Sequence, residues 1–121
     1  DSATVTVING DTNSTATVDT GASPYAVAVN PVTNKIYVTN QGSSSITVID
    51  GATNATTTVG AGSVQLALAV NTATNRIYVA NVGSDTVTVI DGLTSTTTSV
   101  PVGVGPKAIA VNVVVFISKL S

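Results

Sequence analysis

The sequence predicts an all-β chain built of β-propeller-type four-stranded blades, two complete and two partial at the termini. Three observations lead there. A 41-residue segment is written almost three times: Ile8-Asn9-Gly10 returns as Ile49-Asp50-Gly51 and Ile90-Asp91-Gly92, and Val29-Asn30 as Val70-Asn71 and Val111-Asn112. A fixed period in the low forties is the length of one four-stranded blade. Composition favours strands, with 21 Thr, many Val, no Glu and little Lys or Leu. At 121 residues the chain is one domain's worth of material.

Residues 3–20 read as the third and fourth strands of an incomplete blade. Residues 22–61 form the first complete copy. In it, Tyr25-Ala26-Val27-Ala28-Val29 is a dense run that suits an inner strand with both faces covered. Asn30-Pro31-Val32-Thr33-Asn34 is turn chemistry, Lys35 to Thr39 the second strand, and Ser45 to Ile49 the third. Asp50-Gly51 marks the next turn, and Ala55 to Val59 is a Thr-rich outer strand. Residues 63–102 repeat that order through Leu66 to Val70, Arg76 to Ala80, Thr86 to Ile90 and Ser95 to Val100. Residues 104–121 form a second partial blade, with 104–112 as its first strand. Its divergent tail holds Val113, Val114, Val115, Phe116 and Ile117, an apolar stretch that needs a partner strand to be safe from aggregation.

Two segments carry a resemblance. Asn30 to Asn40 ends in Tyr37-Val38-Thr39-Asn40, and Asn71 to Asn81 ends in Tyr78-Val79-Ala80-Asn81, in phase one period apart. With Thr47-Val48-Ile49-Asp50 and Thr88-Val89-Ile90-Asp91, these segments resemble the YVTN-family β-propeller repeat over residues 3–112. The resemblance implies four-stranded blades and an extracellular or cell-surface setting of the surface-layer kind. The tail departs from it by lacking the tetrapeptide.

Composition excludes several functions. Only Lys35, Arg76, Lys107 and Lys119 are basic and the net charge is −2, so there is no cluster to meet a nucleic-acid backbone. Cys, His, Met and Trp are missing, which removes disulfides, the usual general base and the commonest metal ligand. Asp1-Ser2-Ala3-Thr4 lacks the basic start and apolar core of a signal peptide and suits a start left by cleavage. No apolar run approaches the roughly 20 residues of a membrane span. No motif places a base beside a Ser or Thr nucleophile, so the expectation is a non-enzyme without cofactor or metal.

The candidate sites are repeat positions. Asn13 and Asn54 begin Asn13-Ser14-Thr15 and Asn54-Ala55-Thr56, acceptor patterns for an N-linked glycan, which chance in Thr-rich turns also produces. Asp50 and Asp91, in phase with Asn9, are turn formers beside Gly51 and Gly92, since one carboxylate per repeat falls short of a calcium shell. Tyr37 and Tyr78 either form an aromatic ladder for carbohydrate or pack between blades with the hydroxyl on a polar partner; the second is the commoner use. Asn40 and Asn81 close the tetrapeptides, and Lys35 and Arg76 read as solvated.

The ends set a problem. Propellers close with about 4 to 8 blades, and an open fan leaves two faces bare. The several hundred Å² involved forfeit on the order of 10–20 kcal/mol at about 25 cal/mol per Å², against a domain stability of about 5–15 kcal/mol. The sequence therefore predicts self-assembly, the chain being its own partner. Two chains completing each other's terminal blades give a closed homo-oligomeric ring of about six blades, and a non-closing contact gives a filament. The function expected is structural; the rival is a binding module presenting loops to a sugar or protein, or a fragment of a longer surface propeller.

Overall fold

The computed structural model describes residues 3–110, which hold ten strands and no helix. The elements are β1 (Thr4–Ile8), β2 (Thr15–Asp19), β3 (Pro24–Asn30), β4 (Lys35–Asn40), β5 (Ser45–Asp50), β6 (Thr56–Gly60), β7 (Gln65–Asn71), β8 (Arg76–Asn81), β9 (Thr86–Asp91) and β10 (Thr97–Pro101). They form a two-stranded half-sheet β1-β2, a middle sheet β3-β4-β5-β6 and a last sheet β7-β8-β9-β10. All pairings are antiparallel and join sequence neighbours, so each sheet is a meander.

Period-two alternation sorts each sheet into two faces. The trailing face of the half-sheet carries Val5, Val7 and Val18 and packs on Ile36, Val38 and Ile49 of the middle sheet. One period on, the trailing face of the middle sheet carries Tyr37, Ile46, Val48 and Val59 and packs on Leu68, Val70, Ile77, Val79 and Ile90 of the last sheet. The two seams use the same repeat positions. A core is therefore made between sheets, not within one, and a sheet needs a neighbour on each side to bury its apolar side chains.

Polar groups fix the stacking. Asn30, fully buried, donates its amide to Asn75 Oδ1 at 3.1 Å and accepts the Val32 N–H at 3.0 Å. Gln41 Nε2 donates to the Gln65 carbonyl at 2.6 Å. Both bonds tie the middle sheet to the last, beside the packed inner strands β3 and β7.

Within sheets, the tetrapeptide explains itself. Asn40 Nδ2 donates to Ser45 Oγ at 3.2 Å and Thr47 Oγ1 at 2.9 Å; Asn81 Nδ2 donates to Thr86 Oγ1 at 3.2 Å and Thr88 Oγ1 at 2.8 Å. Each amide thus fastens the second strand to the third. Thr39 Oγ1 takes the Ala26 N–H at 2.9 Å and donates to the Ala26 carbonyl at 3.3 Å, bridging a register shift between Pro24 and Val27. The last sheet has the matching shift between Gln65 and Ala67, with Ala80 where Thr39 stands.

Three expectations are corrected. The run Tyr25 to Val29 was expected to be covered on both faces, yet Tyr25, Val27 and Val29 are exposed, because the half-sheet has no inner strands to lie over them. Residues 104–110 form no strand, so the expected first strand of the last partial blade is not present in the described part. The outer strands β6 and β10 begin later than expected, because Asn54 and Ser95 adopt left-handed backbone, with φ of 62° and 60°, and end the turns. Val113, Val114, Val115, Phe116 and Ile117 lie outside the described residues.

Candidate functional site

The most informative surfaces are the two outer faces of the stack. On the leading side, Ile8 is 63% exposed, whereas its counterparts Ile49 and Ile90 are each at 0%. Val27 and Val29 are exposed to 60% and 52%, whereas Leu68 and Val70 pack into the core beneath Tyr37. An apolar groove lined by Thr4, Val5, Pro24, Tyr25, Val27 and Val38 runs between β1 and β3, with a volume of about 170 Å³. On the trailing side, Tyr78, Val87 and Val89 are half-buried and Val100 is exposed, whereas Tyr37, Ile46 and Val48 are buried one period earlier. Burying such side chains is worth about 1.5–3 kcal/mol each, so the bare faces together rival the net stability of a whole domain, about 5–15 kcal/mol.

Backbone edges add to this. Among the described strands β1 is hydrogen-bonded to β2, while β5 and β9, its counterparts, each have strands on both sides. A strand at the edge of a sheet is a template for another strand.

The repeat-defining residues divide by role. Tyr37 is a core residue: its ring lies between sheets and its buried hydroxyl has no hydrogen-bond partner, contrary to the polar contact expected for it. Burial pushes its phenol above the ordinary 10.0. Tyr78 occupies the matching place on the open trailing face. Asp50 Oδ1 accepts the Ala52 N–H and Asp91 Oδ1 the Leu93 N–H, each at 2.9 Å, and Asn9 Oδ1 does the same for Asp11. These are Asx turns. Asp50 also lies 3.8 Å from Lys35 Nζ, a half-exposed pair worth little. Gly51 and Gly92 owe their identity to close approach: a Cβ at either position would run into the side chain of Asn34 or Asn75. Gly51 N–H further donates to the Asn34 carbonyl at 2.8 Å and Gly92 N–H to that of Asn75 at 2.8 Å.

Asn13 and Asn54 sit at the left-handed residue of the hairpins β1-β2 and β5-β6, with φ of 60° and 62°. Asn tolerates that conformation better than most residues, which accounts for it there without a glycan. Ser95 takes the third such place with φ of 60°. Hydroxyls gather elsewhere: a cavity of about 350 Å³ between the middle and last sheets is lined by Gly60, Gly62, Ser84, Thr86, Thr88 and Ser99, among others. Sequence reasoning passed over this cavity, because its residues come from three separated turns and strands. It also passed over Gln41 and Gln65, which stand at non-identical repeat positions.

With that geometry in view, solved structures show what the stack is. Citrobacter koseri AztD superposes with a TM-score of 0.73 at 16% identity, covering 88% of this chain and 32% of that one. Its apo form gives 0.72 at 16% identity, with the same coverage. Kuenenia stuttgartiensis hydrazine synthase gives 0.66 at 26% identity, covering 75% of this chain and 26% of that one. The fold is a β-propeller. Each sheet is a blade, and the chain spans about a third or less of the length of these neighbours. No protein-family model matches the chain, and no curated protein matches it.

Proposed function

We propose that this chain is a non-enzymatic, extracellular or cell-surface structural protein that completes its propeller with strands of neighbouring copies. One observation carries the reading: Ile8 is exposed while Ile49 and Ile90, at the same repeat position, are fully buried. A blade of this repeat is designed to be covered on both faces, and the described chain covers neither of its outermost ones. Neighbouring copies meet those faces with the same chemistry that joins the middle and last blades. Two chains give a closed ring of about six blades, and a contact that does not close gives a filament. On the tetrapeptides at Tyr37 and Tyr78 we assign the repeat to the YVTN type.

Catalysis has no support in the residues. The chain has no Cys, His or Met, and the aspartates among the described residues are dispersed over turns and strand ends. Recognition of a hydroxylated partner such as a glycan is the second reading, favoured by the uncharged, hydroxyl-lined cavity between blades. A third, a segment of a longer surface propeller, is favoured by the one-third coverage of the structural neighbours. Asn13 and Asn54 are proposed glycan acceptors, which intact mass of the protein from its natural source tests.

Electron microscopy of purified protein at micromolar concentration separates these readings. Rings or filaments support assembly. Uniform monomers, together with saturable binding on a glycan array, would replace assembly with the binding reading.

A further inference from the structure

We infer that Asn9-Gly10 is a self-modifying site, where the Gly10 backbone nitrogen displaces the Asn9 side-chain amide through a succinimide, leaving aspartate or isoaspartate. The inference stands apart from the assembly reading, because it concerns covalent chemistry within one turn.

The repeat supplies its own controls. One repeat position precedes glycine three times, as Asn9-Gly10, Asp50-Gly51 and Asp91-Gly92, and no other Asn-Gly or Asp-Gly pair occurs in the chain. In all three turns Oδ1 accepts the amide N–H two residues on: Asn9 from Asp11, Asp50 from Ala52 and Asp91 from Leu93, each at 2.9 Å. The turns therefore match in side-chain bonding and differ in what surrounds the glycine. Gly51 N–H is held by the Asn34 carbonyl and Gly92 N–H by the Asn75 carbonyl, each at 2.8 Å. Gly10 N–H has no partner among the described residues. A Cβ at Gly51 or Gly92 would run into Asn34 or Asn75, yet one at Gly10 would meet no described residue within 4 Å. Asn9 and Gly10 are exposed, whereas Asp50, Gly51, Asp91 and Gly92 are half-buried. The covering contacts come from the β3-β4 and β7-β8 turns, and the described half-blade has no such turn. The uncovered nitrogen thus coincides with the one member of the set that carries a side-chain amide.

Solvent base removes the Gly10 N–H proton, and the nitrogen attacks Asn9 Cγ. The new N–Cγ bond closes the succinimide ring, the Cγ–Nδ2 bond breaks, and ammonia leaves with a proton from water. The Asp11 N–H, already on Oδ1, steadies the charge that gathers there during the attack. Water then opens the ring at either carbonyl, so a water is consumed and an ammonia released, with no redox partner. Glycine permits this because it has no Cβ to crowd the nitrogen or restrict the backbone.

The two products differ in consequence. Aspartate reproduces the residue found at Asp50 and Asp91, keeps the acceptor for the Asp11 N–H and adds one negative charge to a chain of net −2. Isoaspartate inserts a methylene into the backbone between β1 and β2, displacing the Asn9 carbonyl that accepts the Asn13 N–H at 2.7 Å.

The test incubates the dilute full chain at mildly alkaline pH beside a free peptide of residues 5–15, then maps both by mass spectrometry with isoaspartate detection. Conversion at Asn9 in the folded chain is expected within about tenfold of the peptide's rate, since an exposed turn with an unbonded N–H is little protected. Asp50→Asn, which places an amide beside the bonded Gly51, should convert about tenfold or more slowly than Asn9 while folded, and as fast once unfolded in urea. Gly10→Ala should slow conversion at Asn9 by about tenfold and leave the melting temperature unchanged, its Cβ meeting open space. An Asn9 that stays intact while the peptide converts, a rate indifferent to Gly10→Ala, or equal conversion at Asn9 and Asp50→Asn in the folded chain would overturn the inference.

Discussion

Tyr37 shows how a single repeat residue trades chemistry for packing. Its ring joins two blades while its hydroxyl is buried without a partner. Replacing a buried, unpaired hydroxyl by hydrogen removes a desolvation cost, so Tyr37→Phe should leave stability unchanged or raise it by up to about 1 kcal/mol. Tyr37→Ala should cost about 3–5 kcal/mol through the cavity it leaves. The raised phenol pKa gives a pH dependence with a definite sign. The neutral form is favoured in the folded chain, so this stability is complete below the ordinary pKa of 10.0 and is lost as pH rises past it toward the raised value. Urea midpoints measured through the alkaline range should show that decline in the parent chain, and a flatter one in Tyr37→Phe. Asn40 and Asn81 are the polar counterpart. Asn81→Ala deletes two hydroxyl contacts and should lower stability by about 1–3 kcal/mol in the same assay.

At the level of elements, β3 and β7 are near-copies in sequence position with different surroundings. Val27 faces open space and Leu68 faces Tyr37 and its neighbours. Val27→Asp should therefore change the dilute chain's denaturant midpoint by no more than about 0.5 kcal/mol equivalent, whereas Leu68→Asp should cost about 3 kcal/mol or more by burying an unpaired carboxylate. Equal effects would mean that the two faces are alike after all. The strand order, the turns at Asp50-Gly51 and Asp91-Gly92 and the placing of Tyr37 between sheets were legible in sequence, because the 41-residue period and period-two alternation act locally. The openness of β3 was not, since a run such as Tyr25 to Val29 reads the same whether or not a neighbouring sheet exists to cover it. The hydroxyl-lined cavity was equally hidden, being assembled from residues 60–62, 84–88 and 97–99 by the stacking of blades.

For the whole molecule, the repeat distributes stability between blades, so each added blade contributes a seam like that around Tyr37 and Ile77. Two seams hold two and a half blades together in the described chain, and its outermost faces display the residues that form such seams elsewhere. Repeat proteins of this kind gain much of their stability from neighbour contacts, and a propeller leaves no large face bare once its ring closes. Association should therefore raise the melting temperature with protein concentration, as mass action requires for a state that binds its own copies. Sedimentation velocity across nanomolar to micromolar protein tests the central claim most directly. The account predicts a shift from a slow species to a discrete ring or a growing filament, abolished by Val27→Asp; a compact, protease-resistant monomer at every concentration would contradict it.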